Sequence, residues 1–506
     1  MNIKRLFWPF LLLFAAVAAI RRLFASHSSA SEAPASGSAP FDAIDAYIEQ
    51  QMRRLHIPGA SLAIVEGAKI VHQRGFGRAR PGGEVPTSQT PFFIGSLTKS
   101  VTATAVMQLV EAGKVELDAP VQRYLPWFRV ADPQASTRMT VRHLLNQISG
   151  LPTLSGFATL ADFDDRPDAT ERQVRALSRL KITHPVGSVV QYCNLNYVIL
   201  GLIVEVASGE PYAGYIQNHV FDPLRMGHSY TSKAVAKQDG LAMGHRHWFG
   251  YPFPAPNLRV PRGAFPAGQL ISCAEDMAHY LIAHLNGGRF GDAQILSSAG
   301  VDELHRGTVE WITFGISRGR SGMGWFNVDI GQTRTLSHAG NVPDFSAFMA
   351  LVPEHRTGAV ILFNADPYGL PMITEEVGMG LTTLLAGEQP PPPRPDLIPC
   401  IMRLLPLIPL LQVVGVLATL RSLRRWDRHP ALRPSTGRIW GERILLPLIP
   451  NLSLAAVLVY LRSSGLLPFV HEFMPDLSWI ARISGGFAGI WAFLRTGLIL
   501  RALRKP

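Results

Sequence analysis

Ser96 and Lys99 stand three residues apart in the stretch PFFIGSLTKSVTATAVMQLVEAG, residues 91–113. Residues at i and i+3 share a helix face, so the spacing sets a lysine amine beside a serine hydroxyl. A serine alone is a poor nucleophile. A lysine walled in by Phe, Ile, Leu and Val loses solvation for its charged form, which lowers its pKa and lets it take the serine proton. Ser96 also falls where free backbone N–H groups and the helix dipole favour developing negative charge. The spacing alone is weak, because a capping serine followed by an unrelated surface lysine has the same form. Lysine is scarce in this arginine-rich chain, however, and Lys99 is bracketed by apolar residues.

Two further groups follow in order. Tyr192-Cys193-Asn194 opens the apolar run in VVQYCNLNYVILG, and His338-Ala339-Gly340 stands within TLSHAGNVPDF. With these three motifs the sequence resembles the serine hydrolases that include class C β-lactamases and D-alanyl-D-alanine peptidases, whose S-x-x-K, Y-x-N and K/H-x-G motifs fall in the same order. HIPGASLAIVEGAK, VRHLLNQISGLP and FPAGQLISCAEDMAHYL resemble the same family, and the resemblance covers roughly residues 42–385. It implies Ser96 as the acylated nucleophile, with Lys99 and Tyr192 as the proton-handling pair. Which of the two is the general base stays open. It further implies that Asn194 and His338 bind substrate. Gly340 would allow close backbone approach, and the N–H groups of Ser96 and Asn341 would form the oxyanion hole. Two positions depart from the lactamase pattern. His338 stands where lactamases usually carry Lys, and Ala339 where they carry Thr or Ser. The ammonium and hydroxyl that would grip a substrate carboxylate are missing, and weak or no β-lactamase activity is expected. Asp344, where relatives often have glycine, is expected to narrow the cleft.

The elements that must position these residues read as follows. Ile44, Ile48, Met52 and Leu55 make one stripe of a helix over 42–55. SLAIVEGAKIVHQRGFG reads as two strands about a Glu-Gly turn. A helix runs from Ser96 to Ala112 and stops at Gly113. Another begins at Ser272, where Glu275 suggests a capping box. GMGWFNVD, RTLSHAG, DFSAFMALVP and TGAVILFNA read as strands, and a last helix lies near 370–386. The expected fold is α+β of the β-lactamase/transpeptidase type: one antiparallel sheet closed by both ends of the domain, with a helical subdomain.

The chain's ends are different in kind. The net charge is +11, yet thirteen Arg and Lys505 against four acids sit in 397–506, and Lys4, Arg5, Arg21 and Arg22 precede everything else. The middle is close to neutral and offers phosphates no long-range field, which argues against nucleic-acid binding. A basic start followed by LFWPFLLLFAAVAAI reads as an export signal or N-terminal anchor over 1–25, and 26–40 as a flexible linker. The hydrolase domain then spans 41–387 and a Pro-rich spacer 388–396. The membrane domain, 397–506, has three spans near 397–420, 444–461 and 479–500. Arginines crowd the loop between the first two spans, and His471, Glu472 and Asp476 lie between the second and third. The positive-inside rule therefore puts the domain before Leu397 outside. The expectation is a multi-pass protein of the bacterial plasma membrane with an extracytoplasmic catalytic domain.

The paired His245 and His247 lack an evident third ligand, and no metal or other cofactor is expected. Cys193, Cys273 and Cys400 make no disulfide framework. The function that follows is an exported, membrane-anchored serine hydrolase cleaving an ester or peptide bond of a small substrate, with cell-wall-derived peptides among the candidates. An esterase or D-amino-acid amidase on the same fold is a close variant. The alternative is a catalytically idle penicillin-binding-like sensor or scaffold that signals through its helices.

Overall fold

The computed structural model describes residues 41–313, 316–392 and 397–504. The expected signal and first linker, residues 1–40, lie outside the described residues, as does 393–396 of the spacer. The described chain divides into two compact units: residues 41–247 with Tyr251–Pro391, and Trp248–Gly250 with the C-terminal residues from Pro392 on.

The first unit is built on an eight-stranded antiparallel sheet. Its strands are β1 (Gly59–Glu66), β2 (Lys69–Gly77), β3 (Val309–Thr313), β4 (Ile316–Ser321), β5 (Phe326–Ile330), β6 (Thr333–Val342), β7 (Phe345–Val352) and β8 (Thr357–Phe363). They run in the order β2-β1-β8-β7-β6-β5-β4-β3. The first-made strand β1 is thus locked between its hairpin partner β2 and the last strand β8, with Ala60 opposite Phe363 and Glu66 opposite Thr357. The expected closure of the sheet by both chain ends is what is found.

Inner strands of a sheet covered on both faces read as continuous apolar runs, and β7 is buried at every residue. Successive side chains point to opposite faces. Phe345, Ala347, Met349 and Leu351 of β7, with Val360 and Leu362 of β8, therefore join the main core. In that core lie α2 (Thr98–Glu111), α3 (Asn194–Ser208) and α4 (Ala274–Leu285). The terminal helices α1 (Asp42–Leu55) and α5 (Pro371–Leu385) pack on each other and are tied by the Tyr47 hydroxyl donating to the Val377 carbonyl at 3.1 Å.

Two expectations change. Ser96 does not lie in the α-helix but in the 3-10 turn Gly95–Leu97 before it. The capping box at Ser272 and Glu275 is absent. Ser272 is a strand residue opposite Phe92, Cys273 caps α4 through its Sγ and the Asp276 N–H, and Glu275 accepts from Ser88 at 3.0 Å. The strand Ile271–Ser272 takes priority because it anchors the short strand that feeds Ser96.

The second unit holds three helices long and apolar enough to cross a membrane: α6 (Ile398–Arg428), α7 (Thr436–Ser463) and α8 (Pro475–Leu503). Leu411, Ile449 and Phe493 are each about two-thirds exposed or more, whereas the small residues Ala481, Gly485, Ala488 and Ala492 of α8 are buried. Small residues let helix backbones approach closely where lipid supplies no hydrophobic drive. Polar groups turn inward: the Gln412 amide donates to the Ser484 carbonyl at 2.9 Å, and Arg495 Nε donates to Thr419 Oγ1 at 3.0 Å.

Leu362→Ala in the doubly covered strand β8 is expected to cost about 2–5 kcal/mol of unfolding free energy. Val71→Ala on the edge strand β2 should stay within about 0.5 kcal/mol. Urea denaturation followed by tryptophan fluorescence separates the two.

Candidate active site

The nucleophile candidate is placed by a tight passage from strand to helix. Phe92 and Phe93 pair with Ser272 and Ile271. The chain then turns at Gly95, whose φ is +53°, and enters α2. A Cβ on Gly95 would lie 2.4 Å from the Asn341 nitrogen, and one on Gly340 would lie 2.1 Å from the Ile94 carbonyl oxygen. Only glycines permit this approach. It brings the backbone of β6 at 340–341 against the residues just before Ser96.

Every residue of α2 from Thr98 to Met107 is buried. Such a helix must satisfy its polar side chains internally. Thr102 bonds the Tyr212 hydroxyl at 2.7 Å, and Ser100 and Thr104 bond the Tyr280 hydroxyl at 2.7 and 2.9 Å. Lys99, fully buried, is the exception in charge. Its Nζ lies 2.9 Å from Ser96 Oγ and donates to the Ala267 carbonyl at 2.5 Å. It also sits 4.9 and 5.8 Å from the ring centroids of Tyr192 and Tyr197. Among the described residues no carboxylate pairs with it. Burial dominates and pushes its pKa well below the ordinary lysine range.

Tyr192 completes the group by donating its hydroxyl to Ser96 Oγ at 2.8 Å. Burial raises its pKa, so the phenol holds its proton. Its position follows from the next residues. The Cys193 N–H donates to Gln147 Oε1 at 3.0 Å, and the Asn196 amide donates to the same oxygen. Asn194 starts α3, is almost fully buried, and its amide donates to the Gly156 carbonyl at 3.1 Å. It is held by the neighbouring 153–158 helix rather than by Ser96.

His338 lies within β6, not at its end. Its Nδ1 is 2.7 Å from the Ala339 carbonyl oxygen, and burial, with the charge of Lys99 adding to it, lowers its pKa to about 3. The imidazole is therefore neutral. Asn341 donates its side-chain amide to Asp366 Oδ1 at 2.8 Å. Pairing of β5 with β6 runs from Ile330↔Thr333 to Phe326↔Ser337, whereas β7 pairs with β6 through Val342. Residues 338–342 therefore leave their β5-side edge without a partner strand among the described residues.

Other sequence candidates resolve differently. Asp344 does not narrow the cleft with a free carboxylate. Its side chain is buried and gripped by Arg246 Nε and a terminal nitrogen at 2.6 and 3.0 Å. His245 Nδ1 lies 3.2 Å from the Asn364 carbonyl and His247 Nε2 3.3 Å from the Leu55 carbonyl. All three cysteines are free. Sequence reasoning missed Ala267 and Gln147. Both lie in stretches already familiar by resemblance; the Ala267 backbone carbonyl leaves no residue-type signal, and the Gln147 side-chain oxygen acts on residues 46 and 49 positions away, which no local pattern shows.

The arrangement offers a serine oxygen between a protonated phenol and an amine biased towards its free base. The comparisons with known proteins converge on one family. The Beta-lactamase family model matches residues 44–378. Penicillin-binding protein 4 of Amycolatopsis lactamdurans is 32% identical over 314 residues, which is 61% of this chain and 81% of that protein. Among solved structures, the octameric penicillin-binding protein homologue from Pyrococcus abyssi is 28% identical with a TM-score of 0.60, covering 69% of this chain and 78% of that one. The D-amino acid amidase from Ochrobactrum anthropi SV3 shares the fold with a TM-score of 0.57 at 23% identity, over 69% of this chain and 99% of that one.

Gly340→Ala is expected to force β6 away from the 94–96 turn and to cost about 1–3 kcal/mol. Chemical denaturation of this variant against Ala339→Gly, which adds no atom, checks it.

Proposed function

Because the chain belongs to the serine β-lactamase-related family, we propose that it is a hydrolase that cleaves an ester or amide through an acyl-enzyme on Ser96. The observation that carries this reading is the buried Lys99 amine 2.9 Å from Ser96 Oγ, with no carboxylate partner among the described residues. A neutral amine has two N–H groups and one lone pair. One N–H donates to the Ala267 carbonyl, and the lone pair accepts the Ser96 proton. Tyr192 already donates to Ser96 Oγ, so the serine hydrogen is free to point at Lys99. The geometry and both pKa directions favour Lys99 as the general base for acylation, with Tyr192 staying protonated.

In the proposed cycle Ser96 Oγ bonds the acyl carbon as its proton passes to Lys99. The bond to the leaving oxygen or nitrogen breaks as that atom takes the proton. Water then releases the acyl group by the reverse transfer. The Ser96 and Asn341 N–H groups would stabilise the oxyanion. Substrate would lie along the open edge of β6 at 338–342, as an added strand. The neutral His338 and the methyl of Ala339 favour substrates without a carboxylate at that end. Three apolar helices support membrane anchoring, and the arginine-rich 421–443 segment supports a catalytic unit on the outer side.

A fluorophosphonate probe should label wild type and not Ser96→Ala, and turnover of any substrate should vanish with the label. Labelling without turnover would favour the sensor. Lys99 must be unprotonated to act, so kcat/KM should fall only as pH drops through its depressed pKa, with no alkaline loss in the ordinary tyrosine range. A profile that instead rises near pH 10 would return the base role to an ordinary lysine or phenol.

For the topology, Pro430→Cys and Ser463→Cys can be placed in a background lacking the three native cysteines. A membrane-impermeant thiol reagent applied to intact cells is expected to reach position 463 and not 430. The reverse would overturn the outward placement.

A further inference from the structure

One feature beside the nucleophile narrows the substrate. Three rings, tilted against one another, run outward from the buried His338. The Phe326 ring centroid lies 5.2 Å from that of His338, and the Trp311 centroid lies 4.7 Å from that of Phe326, at interplanar angles of 46° and 31°. Exposure rises along the series, from the buried His338 to the half-buried Phe326 and Trp311.

The sheet register gives the stack its meaning. Phe326 is the first residue of β5 and pairs with Ser337, immediately before the stretch 338–342 of β6 whose β5-side edge has no partner strand among the described residues. A ligand strand laid on that open edge would occupy the lane in which β5 would otherwise continue, so its end would abut Phe326. Lys99 hands its proton to the departing atom in the acyl-enzyme reading, and the His338 end of the lane, next to Phe326, is taken as the end where that atom leaves.

We infer that His338, Phe326 and Trp311 form a subsite for an uncharged aromatic or bulky apolar group carried on the leaving side of the scissile ester or amide bond. The inference rests on the acyl-enzyme reading for its direction, and on the tilted ring series for its chemistry. Aromatic faces favour offset or tilted ring partners, and the stack presents no fixed cation to a carboxylate.

The test uses the full-length protein. Binding is measured first on Ser96→Ala, with N-benzylacetamide and N-methylacetamide as probes, so that no chemistry intervenes. The benzyl compound should bind roughly tenfold to a hundredfold more tightly, the range expected for burying one aromatic ring. Trp311→Ala and the volume-conserving Phe326→Leu should each reduce that ratio several-fold. In wild type, benzyl esters should exceed matched methyl esters in kcat/KM, and 4-carboxybenzyl esters should lose the advantage. Equal binding of the two amides would overturn the subsite, as would a ratio unchanged in both variants or a preference for the 4-carboxybenzyl ester. Failure of fluorophosphonate to label wild type would overturn the acyl-enzyme reading instead. The amide binding ratios would still decide the subsite.

Discussion

A buried lysine amine with no counter-ion among the described residues is the constraint around which the catalytic unit is arranged. Bringing an ammonium out of water is costly, and a nearby carboxylate would repay that cost while fixing the charge. Among the described residues Lys99 meets a carbonyl oxygen, a serine hydroxyl and two aromatic faces, and no carboxylate pairs with it. The folded state therefore binds this proton less readily than the unfolded chain. The resulting stability cost is fully present below the depressed folded-state pKa and fades as pH rises towards 10.5, the ordinary lysine value. The rest of the unit supports that arrangement. It has a helix buried on all sides, hydroxyls satisfied by tyrosines, and two glycines that let a strand backbone press against the turn holding Ser96.

Much of this was readable in advance because it depends on residue type and spacing. The apolar stripe of α1, the Glu-Gly turn between β1 and β2, and the apolar runs of β7 and β8 are local patterns, and each marks an element close to its observed bounds. The triplets around Ser96, Tyr192 and His338 are chemical and ordered, so they pointed to one neighbourhood before any coordinates did. The structure brings Ser96, Lys99 and Tyr192 into direct contact, and Gly340 and Asn341 against the turn that carries Ser96. What was hidden depends on tertiary partners. The Ala267 carbonyl has no side-chain signature. Ser272 looked like a helix cap because its role opposite Phe92 is set by a segment about 180 residues away. Asp344 looked like a cleft residue until Arg246, on a separate hairpin, was seen to hold it.

The C-terminal unit obeys different physics. In the first unit apolar side chains face inward and polar groups cover the surface. Here large apolar residues such as Leu411 and Phe493 face outward, while Gln412, Thr419 and Arg495 find partners between helices. The formal charge of +11 on the whole chain therefore says little about the catalytic surface, because most of the excess arginine belongs to this C-terminal unit, much of it near the ends of its helices.

The closing of the sheet also sets a timetable. Strand β1 is among the first parts of the domain to be made, yet the strand that covers its second edge, β8, lies roughly 300 residues later. At about 5–20 residues per second of synthesis, that edge waits on the order of 15–60 seconds for its partner. Through that interval a nearly continuous apolar strand, Gly59–Glu66, carries one row of unsatisfied N–H and C=O groups. The unit cannot mature piecemeal from its N-terminus. Its native sheet becomes possible only after Phe363 has been made, by which point the apolar helices that follow are next to emerge. During those seconds the nascent chain depends on whatever shields a bare strand edge, and a delay inserted before β8 would be felt as aggregation rather than as a slower enzyme.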